Sequence, residues 1–97
     1  MFNWDDLKYL HALACHGSTL AAARALQVSA TTVQRRLQEL EQRIGQPLVR
    51  RETGGYQLTD CARELLPLVE RVAQAVLEVE QHLQSLPADA LRPIGTG

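Results

Sequence analysis

Ninety-seven residues allow one small domain plus one extended element, because a chain of this length buries only a modest share of its unfolded surface. Apolar residues reach 45% with only 4% aromatic, which requires an aliphatic core, and the Ala, Leu, Gln, Glu and Arg content favours helix over sheet. No apolar run approaches the roughly 20 residues that span a bilayer, and the opening Trp4-Asp5-Asp6 lacks the basic start of a secretory leader, so the expectation is a cytoplasmic chain with no membrane partner.

The formal charge of −1 taken alone argues against a nucleic-acid partner, but the mean conceals two parts. Between Arg24 and Arg51 six arginines (Arg24, Arg35, Arg36, Arg43, Arg50, Arg51) stand against Glu39 and Glu41, a local +4. From Asp60 to Ala90 the balance reverses to −4, with Arg63 and Arg71 against Asp60, Glu64, Glu70, Glu78, Glu80 and Asp89. Cys15 and Cys61 fall inside apolar helical patterns and read as buried thiols, not as a disulfide.

In chain order, the first helix has a capping Asn3, with Asp5 and Asp6 in the first turn where the helix dipole favours negative charge, and Phe2 placed to staple onto Leu7. Its buried stripe is expected to be Leu7, Leu10 and Ala14, with Leu13 beside it. Gly17 ends this helix and Ser18 caps a short second one over Thr19–Leu26. Gln27-Val28-Ser29 then forms a three-residue turn in which Val28 plugs the gap between helices and Ser29 caps the third.

That third helix repeats Val33, Leu37, Leu40 and Ile44, so one face is committed to the core and Thr31, Gln34, Arg35 and Gln38 project from the other. The small Ala21, Ala22 and Ala23 let it approach the second helix closely. Gly45 and Pro47 stop it, and the stretch Leu48 to Arg51, Thr53-Gly54-Gly55 and Tyr56-Gln57-Leu58 reads as a two-stranded wing over residues 48–58. Thr59 and Asp60 open a long helix in which Ala62, Leu65, Val69, Val72, Val76, Val79, Leu83 and Leu86 mark about three heptads of an a/d seam. Pro67 is expected to bend it without breaking it, and Pro87 to close it. A helix of about 26 residues spans roughly 39 Å, longer than a domain of some 60 residues covers, so part of the seam is expected to meet another helix. Residues 88–97 show no periodicity and read as a linker.

The order of these pieces resembles the N-terminal part of a LysR-type transcriptional regulator. The likeness runs from Leu7 to Leu86 and rests on Leu7-Lys8-Tyr9-Leu10, on Gly17-Ser18-Thr19-Leu20-Ala21-Ala22-Ala23-Arg24-Ala25-Leu26, on Val28-Ser29, on Leu37-Gln38-Glu39-Leu40-Glu41, on Ile44-Gly45-Gln46-Pro47-Leu48 with Arg51, and on Leu58-Thr59. The resemblance implies a mainly α fold with a winged helix-turn-helix over residues 1–59, a dimerising linker helix over 60–86 and a flexible linker over 87–97. It also implies a homodimer on a partly palindromic double-stranded DNA site, and a small-molecule effector bound only by a C-terminal domain absent from these 97 residues. The expectation is therefore a truncated chain. Thr31 and Gln34 stand where members often carry Pro and Ser, Val49 and Arg50 replace a common Phe-Glu pair, and Gly54 occupies a position where many place a minor-groove Arg.

The major groove presents each base pair as a distinct donor and acceptor pattern. The expected base contacts are Ala30, Thr31, Gln34, Arg35 and Gln38 of a recognition helix over residues 30–44, with Gln34 suited to adenine, Arg35 to guanine or a phosphate, and Thr31 to a thymine methyl. Arg24, Arg36, Arg50, Arg51, Thr32 and Thr53, with the caps Ser18 and Ser29, are expected on the backbone. Leu65, Val69, Val72, Val76, Val79 and Leu83 are expected to pair two chains, parallel or antiparallel.

His11, Cys15 and His16 are the one cluster suggestive of a metal, but no second pair of ligands lies at usable spacing, so neither metal nor cofactor is expected. Ser18, Ser29 and Cys61 read as structural, and without a phosphate-cradling loop or a nucleophile with its base no enzyme is expected. The alternatives are the winged domain of a molybdate-responsive regulator and a winged helix used only for protein interaction.

Overall fold

A computed structural model of the chain describes residues 3–53 and 55–87. Helices α1 (Trp4–His16), α2 (Thr19–Leu26) and α3 (Ala30–Ile44) precede strands β1 (Val49–Glu52) and β2 (Gly55–Leu58), and the long helix α4 (Asp60–Ser85) follows. This is the winged helix-turn-helix with an appended helix that the sequence predicts. The staple of Phe2, the hairpin position Gly54 and the linker residues 88–97 lie outside the described residues.

Each helix begins where a short polar side chain can satisfy an orphan N–H. Asn3 and Asp6 form a reciprocal capping box on α1, the Ser18 side chain accepts from the Ala21 N–H, Ser29 from Thr32, and Thr59 from Ala62. Gly17 (φ 82°) and Gly45 (φ 80°) end α1 and α3 in the left-handed region where a Cβ is penalised. Gln27 takes the same conformation at φ 58° to end α2, held by the Val28 N–H donating 3.0 Å to the Ala23 carbonyl.

The core lies where α1, α2, α3, β1 and the start of α4 converge: Leu10, Val33, Leu40, Leu48 and Ala62 are fully buried, with Tyr9, Leu13, Ala22, Ala23 and Leu37 around them. Two expectations for α1 fail. Ala14 and Cys15 are exposed, because Tyr9 and Leu13 supply the face that α2 and α3 cover and the methyl and thiol lie one step round the helix from it. Cys61 is half-buried and packs against the core.

The two strands pair antiparallel in the register Val49 to Leu58 and Arg51 to Tyr56, and α4 runs through Pro67 unbroken. Its apolar seam splits. Leu65 packs against the core of its own chain and Val69 is only 3% exposed, so neither is available to a second chain as expected; the face that α4 turns towards α1 takes them first. Leu68, Val72, Val79 and Leu83 are exposed, and Leu68, outside the expected seam, continues the open stripe one turn before Val72.

One charge is buried on the domain side. Asp6 is 3% exposed, and its Oδ2 accepts 2.6 Å from Arg43 Nη1 of α3 and 3.0 Å from the Asn3 N–H. The bond from Asn3 and then the guanidinium outweigh burial and hold this carboxyl below its ordinary 3.8. Stability from a lowered carboxyl pKa is complete above the unfolded value and is lost as pH falls through the folded one. Arg43→Ala, which strands a buried carboxylate, is expected to lower the unfolding free energy by about 1–3 kcal/mol at neutral pH. The gap between the parent chain and Asp6→Asn should shrink only below about pH 4; urea titrations at neutral and acid pH measure both.

Candidate nucleic-acid interface

The helix-turn-helix presents α3 with its N-terminal half uncovered. Thr31, Arg35 and Gln38 are exposed while Ala30 and Gln34 are half-buried, which gathers the five expected contact residues on one side of one helix. Arg35 lies 3.8 Å from Glu39 Oε1 with its side chain 65% exposed, a pair too open to hold it from another partner. Gln34 is restrained: its Nε2 donates 3.2 Å to the Tyr56 phenolic oxygen, which also accepts 3.1 Å from Arg51 Nη2. The Arg51 guanidinium sits 5.7 Å from the centre of the same ring. Bidentate reading of adenine uses the amide oxygen and one of the two Nε2 hydrogens, so the bond to Tyr56 can orient the amide plane with its other hydrogen.

Tyr56 is thus the residue that joins recognition helix to wing, and the sequence reading missed it. The antiparallel register that faces it across Arg51 was the available signal, because cross-strand neighbours meet directly. The hydrogen bond to the Tyr56 oxygen raises the Arg51 pKa.

Among the residues expected on a DNA backbone, Arg24, Arg50, Arg51 and Thr53 are exposed. Ser18 and Ser29 are occupied as caps, and Thr32 exchanges a 2.9 Å hydrogen bond with Ser29. Arg36 is half-buried and already engaged inside the domain: its guanidinium lies 5.6 Å from the centre of Tyr9, Nη1 lies 3.8 Å from Glu39 Oε2, and Nε is buried without a partner, because position 36 lies on the flank of α3 that faces α1. Glu70 of α4 brings a carboxylate oxygen 2.6 Å from His11 Nε2, so a third side chain with an atom able to ligate a metal, absent from the sequence reading, joins His11 and Cys15, and His16 is not part of the group.

Residues 4–63 match the family model described as bacterial regulatory helix-turn-helix protein, lysR family. Over 88 residues the chain is 40% identical to the Mau operon transcriptional activator of Paracoccus denitrificans, covering 87% of this chain and 31% of the relative. Over 86 residues it is 34% identical to the iron-regulated virulence regulatory protein IrgB of Vibrio cholerae, covering 89% and 29%. The chain therefore spans about a third of the length of the curated relatives it matches. Among solved structures it superposes on the CbnR DNA-binding domain in complex with DNA with TM-score 0.74 and 28% identity, covering 87% of this chain and 97% of that one. Full-length LysG of Corynebacterium glutamicum gives TM-score 0.74 at 25% identity, with 87% and 29% covered.

Tyr56→Phe keeps the ring and removes the oxygen that both Gln34 and Arg51 use. We expect the unfolding free energy to change by no more than about 1 kcal/mol, since the freed groups can reach water. The Gln34 side-chain amide resonances should move to solvent-like positions; unmoved resonances would show that Tyr56 does not hold Gln34.

Proposed function

The chain belongs to the lysR family of bacterial regulatory helix-turn-helix proteins, and from that premise we propose that it binds double-stranded DNA sequence-specifically as the reading head of a homodimeric transcription regulator. The observation that carries this reading is the uncovered side of α3, with Thr31, Arg35 and Gln38 exposed and Gln34 tied to the wing, in a fold that matches nearly the whole of a domain solved on DNA. A helix of this kind fits the major groove and needs only a few polar side chains at i, i+3 and i+4 to read bases. Arg35 and Gln38 are readers, with Thr31 at a thymine methyl and Gln34, its amide oriented by Tyr56, at an adenine. Arg24, Arg50, Arg51 and Thr53 contact phosphates, a role that fixes position without carrying sequence information.

Two chains pair through the second half of α4. Val72, Val76, Val79 and Leu83 remain from the expected seam, and Leu68 replaces Leu65 and Val69, which the chain's own core takes up. Their spacing of three and four residues supports a helix-helix contact. The winged part (residues 1–59), the linker helix (60–86) and the linker (87–97) form the first third of a longer regulator whose remaining length binds a small-molecule effector, and the site of action is the bacterial cytoplasm.

Selection of binding sequences from a random duplex pool at moderate salt tests the reading. An enriched motif with dyad symmetry and half-sites about one helical turn apart is expected, with Arg35→Ala costing about 1–3 kcal/mol at one base position and Arg50→Ala weakening all sequences alike. Val79→Asp should leave the winged fold intact and convert a dimer to a monomer in sedimentation. Absence of any enriched motif from a dimeric, folded chain would sink the proposal in favour of a winged helix that binds protein.

A further inference from the structure

The junction of α1 and α4 carries a side-chain cluster that DNA binding and pairing leave unused. His11 Nε2 lies 2.6 Å from a Glu70 carboxylate oxygen and 3.5 Å from Cys15 Sγ, and the three ligand atoms all fall within 4.8 Å of one another. His11 and Cys15 come from successive turns of α1, while Glu70 comes from α4, 59 residues along the chain from His11. We propose that His11, Cys15 and Glu70 form a binding site for a thiophilic divalent cation of the zinc class, with the fourth position of a tetrahedron open to water.

Three properties of the cluster support this. The donor set is one imidazole nitrogen, one sulfur and one carboxylate oxygen, a mixture that suits zinc and excludes magnesium or calcium, which take oxygen ligands. A thiolate and a carboxylate together neutralise the two positive charges of the ion. The spacing is close to what coordination needs: zinc bonds of about 2.3 Å to sulfur and 2.0–2.2 Å to nitrogen and oxygen at tetrahedral angles put sulfur and nitrogen about 3.6 Å apart, and nitrogen and oxygen about 3.4 Å apart. The first is already at 3.5 Å. The second requires Glu70, whose side chain is 63% exposed, to withdraw by less than about 1 Å.

The surroundings leave the ion room. Arg63 lines the same hollow with Leu66 and Pro67, but its guanidinium is turned to Asp60 at 3.3 Å. On coordination the Cys15 thiol proton passes to solvent as the sulfur–metal bond forms, and His11 binds through a proton-free Nε2, so acid opposes uptake. The bound ion would pin α1 to α4 at the point where the long helix leaves the winged domain.

Cobalt titration of the reduced 97-residue chain tests the site, with Zn2+ as competitor. One Co2+ per chain is expected, with a thiolate charge-transfer band, strong four-coordinate visible absorption and displacement by Zn2+. Cys15→Ser should abolish the charge-transfer band, and Glu70→Gln and His11→Gln should each weaken binding by about tenfold or more. Cys61→Ser and His16→Gln should leave the titration unchanged. Cys15 and Glu70 are exposed, and a metal-free circular dichroism spectrum equal to the parent's separates lost ligands from lost fold. No uptake at micromolar Co2+, a charge-transfer band that survives Cys15→Ser, or an affinity indifferent to Glu70→Gln would each overturn the proposal.

Discussion

The carboxylate of Glu41 and the hydroxyl of Thr59 together decide where everything after α3 can lie. Glu41 accepts from the Leu48 N–H at 2.7 Å and from the Val49 N–H at 3.3 Å, so the first residue of the wing is bonded to the recognition helix and not merely packed on it. Thr59 donates 2.7 Å to the Pro47 carbonyl, accepts 3.2 Å from the Ala62 N–H and gives its own N–H to the Leu48 carbonyl at 3.0 Å. Leu48 between them is fully buried. Half-buried Glu41 and buried Thr59 thus close both ends of the hairpin and cap α4 in one knot, and a network of this kind specifies one geometry because its unmade bonds are costly.

That knot explains why α3 and the wing can act as one reading surface. With β1 bonded to α3 through Glu41, the cross-strand partner Tyr56 reaches Gln34 at 3.2 Å, and a side chain on the wing restrains one on the helix. The same architecture shows why counting charges overstates the basic surface. Of the six arginines between positions 24 and 51, Arg43 is held by the buried Asp6 and Arg36 stacks on Tyr9. Both pairings tie an arginine of α3 to α1, whereas Arg24, Arg35, Arg50 and Arg51 are exposed on the helix-turn-helix and the wing.

The helix limits were legible because each is written in one or two residues with a local mechanism. Asn3, Ser18, Ser29 and Thr59 satisfy N–H groups within three positions of themselves, and Gly17 and Gly45 take a backbone conformation that other residues resist. What lay beyond reading was partnership. A three-and-four repeat states that one side of α4 is apolar but not which neighbour covers it, so Leu65 and Val69 could not be told from Val72 and Val79. Ala14 and Cys15 were misplaced for a related reason: in α1 the large Tyr9 draws the covered face towards itself. Glu70 was beyond local reading because nothing near it in sequence announces His11.

The length of α4 then sets how the two halves of the molecule are coupled. Twenty-six residues extend about 39 Å, and the described residues measure 56 × 26 × 21 Å, so the helix reaches well past the winged domain. Ala62, Leu65, Leu66 and Val69 tie its first part to the core. Past Val69 the large apolar side chains at 72, 77, 79 and 83 are exposed. Glu70 stands at this changeover, hydrogen-bonded to His11 of α1. A small rotation of the long helix there moves its far end through a distance that grows with the length beyond. The His11, Cys15 and Glu70 side chains, which bring α1 and α4 together, therefore sit where a small displacement redirects α4 relative to the winged domain.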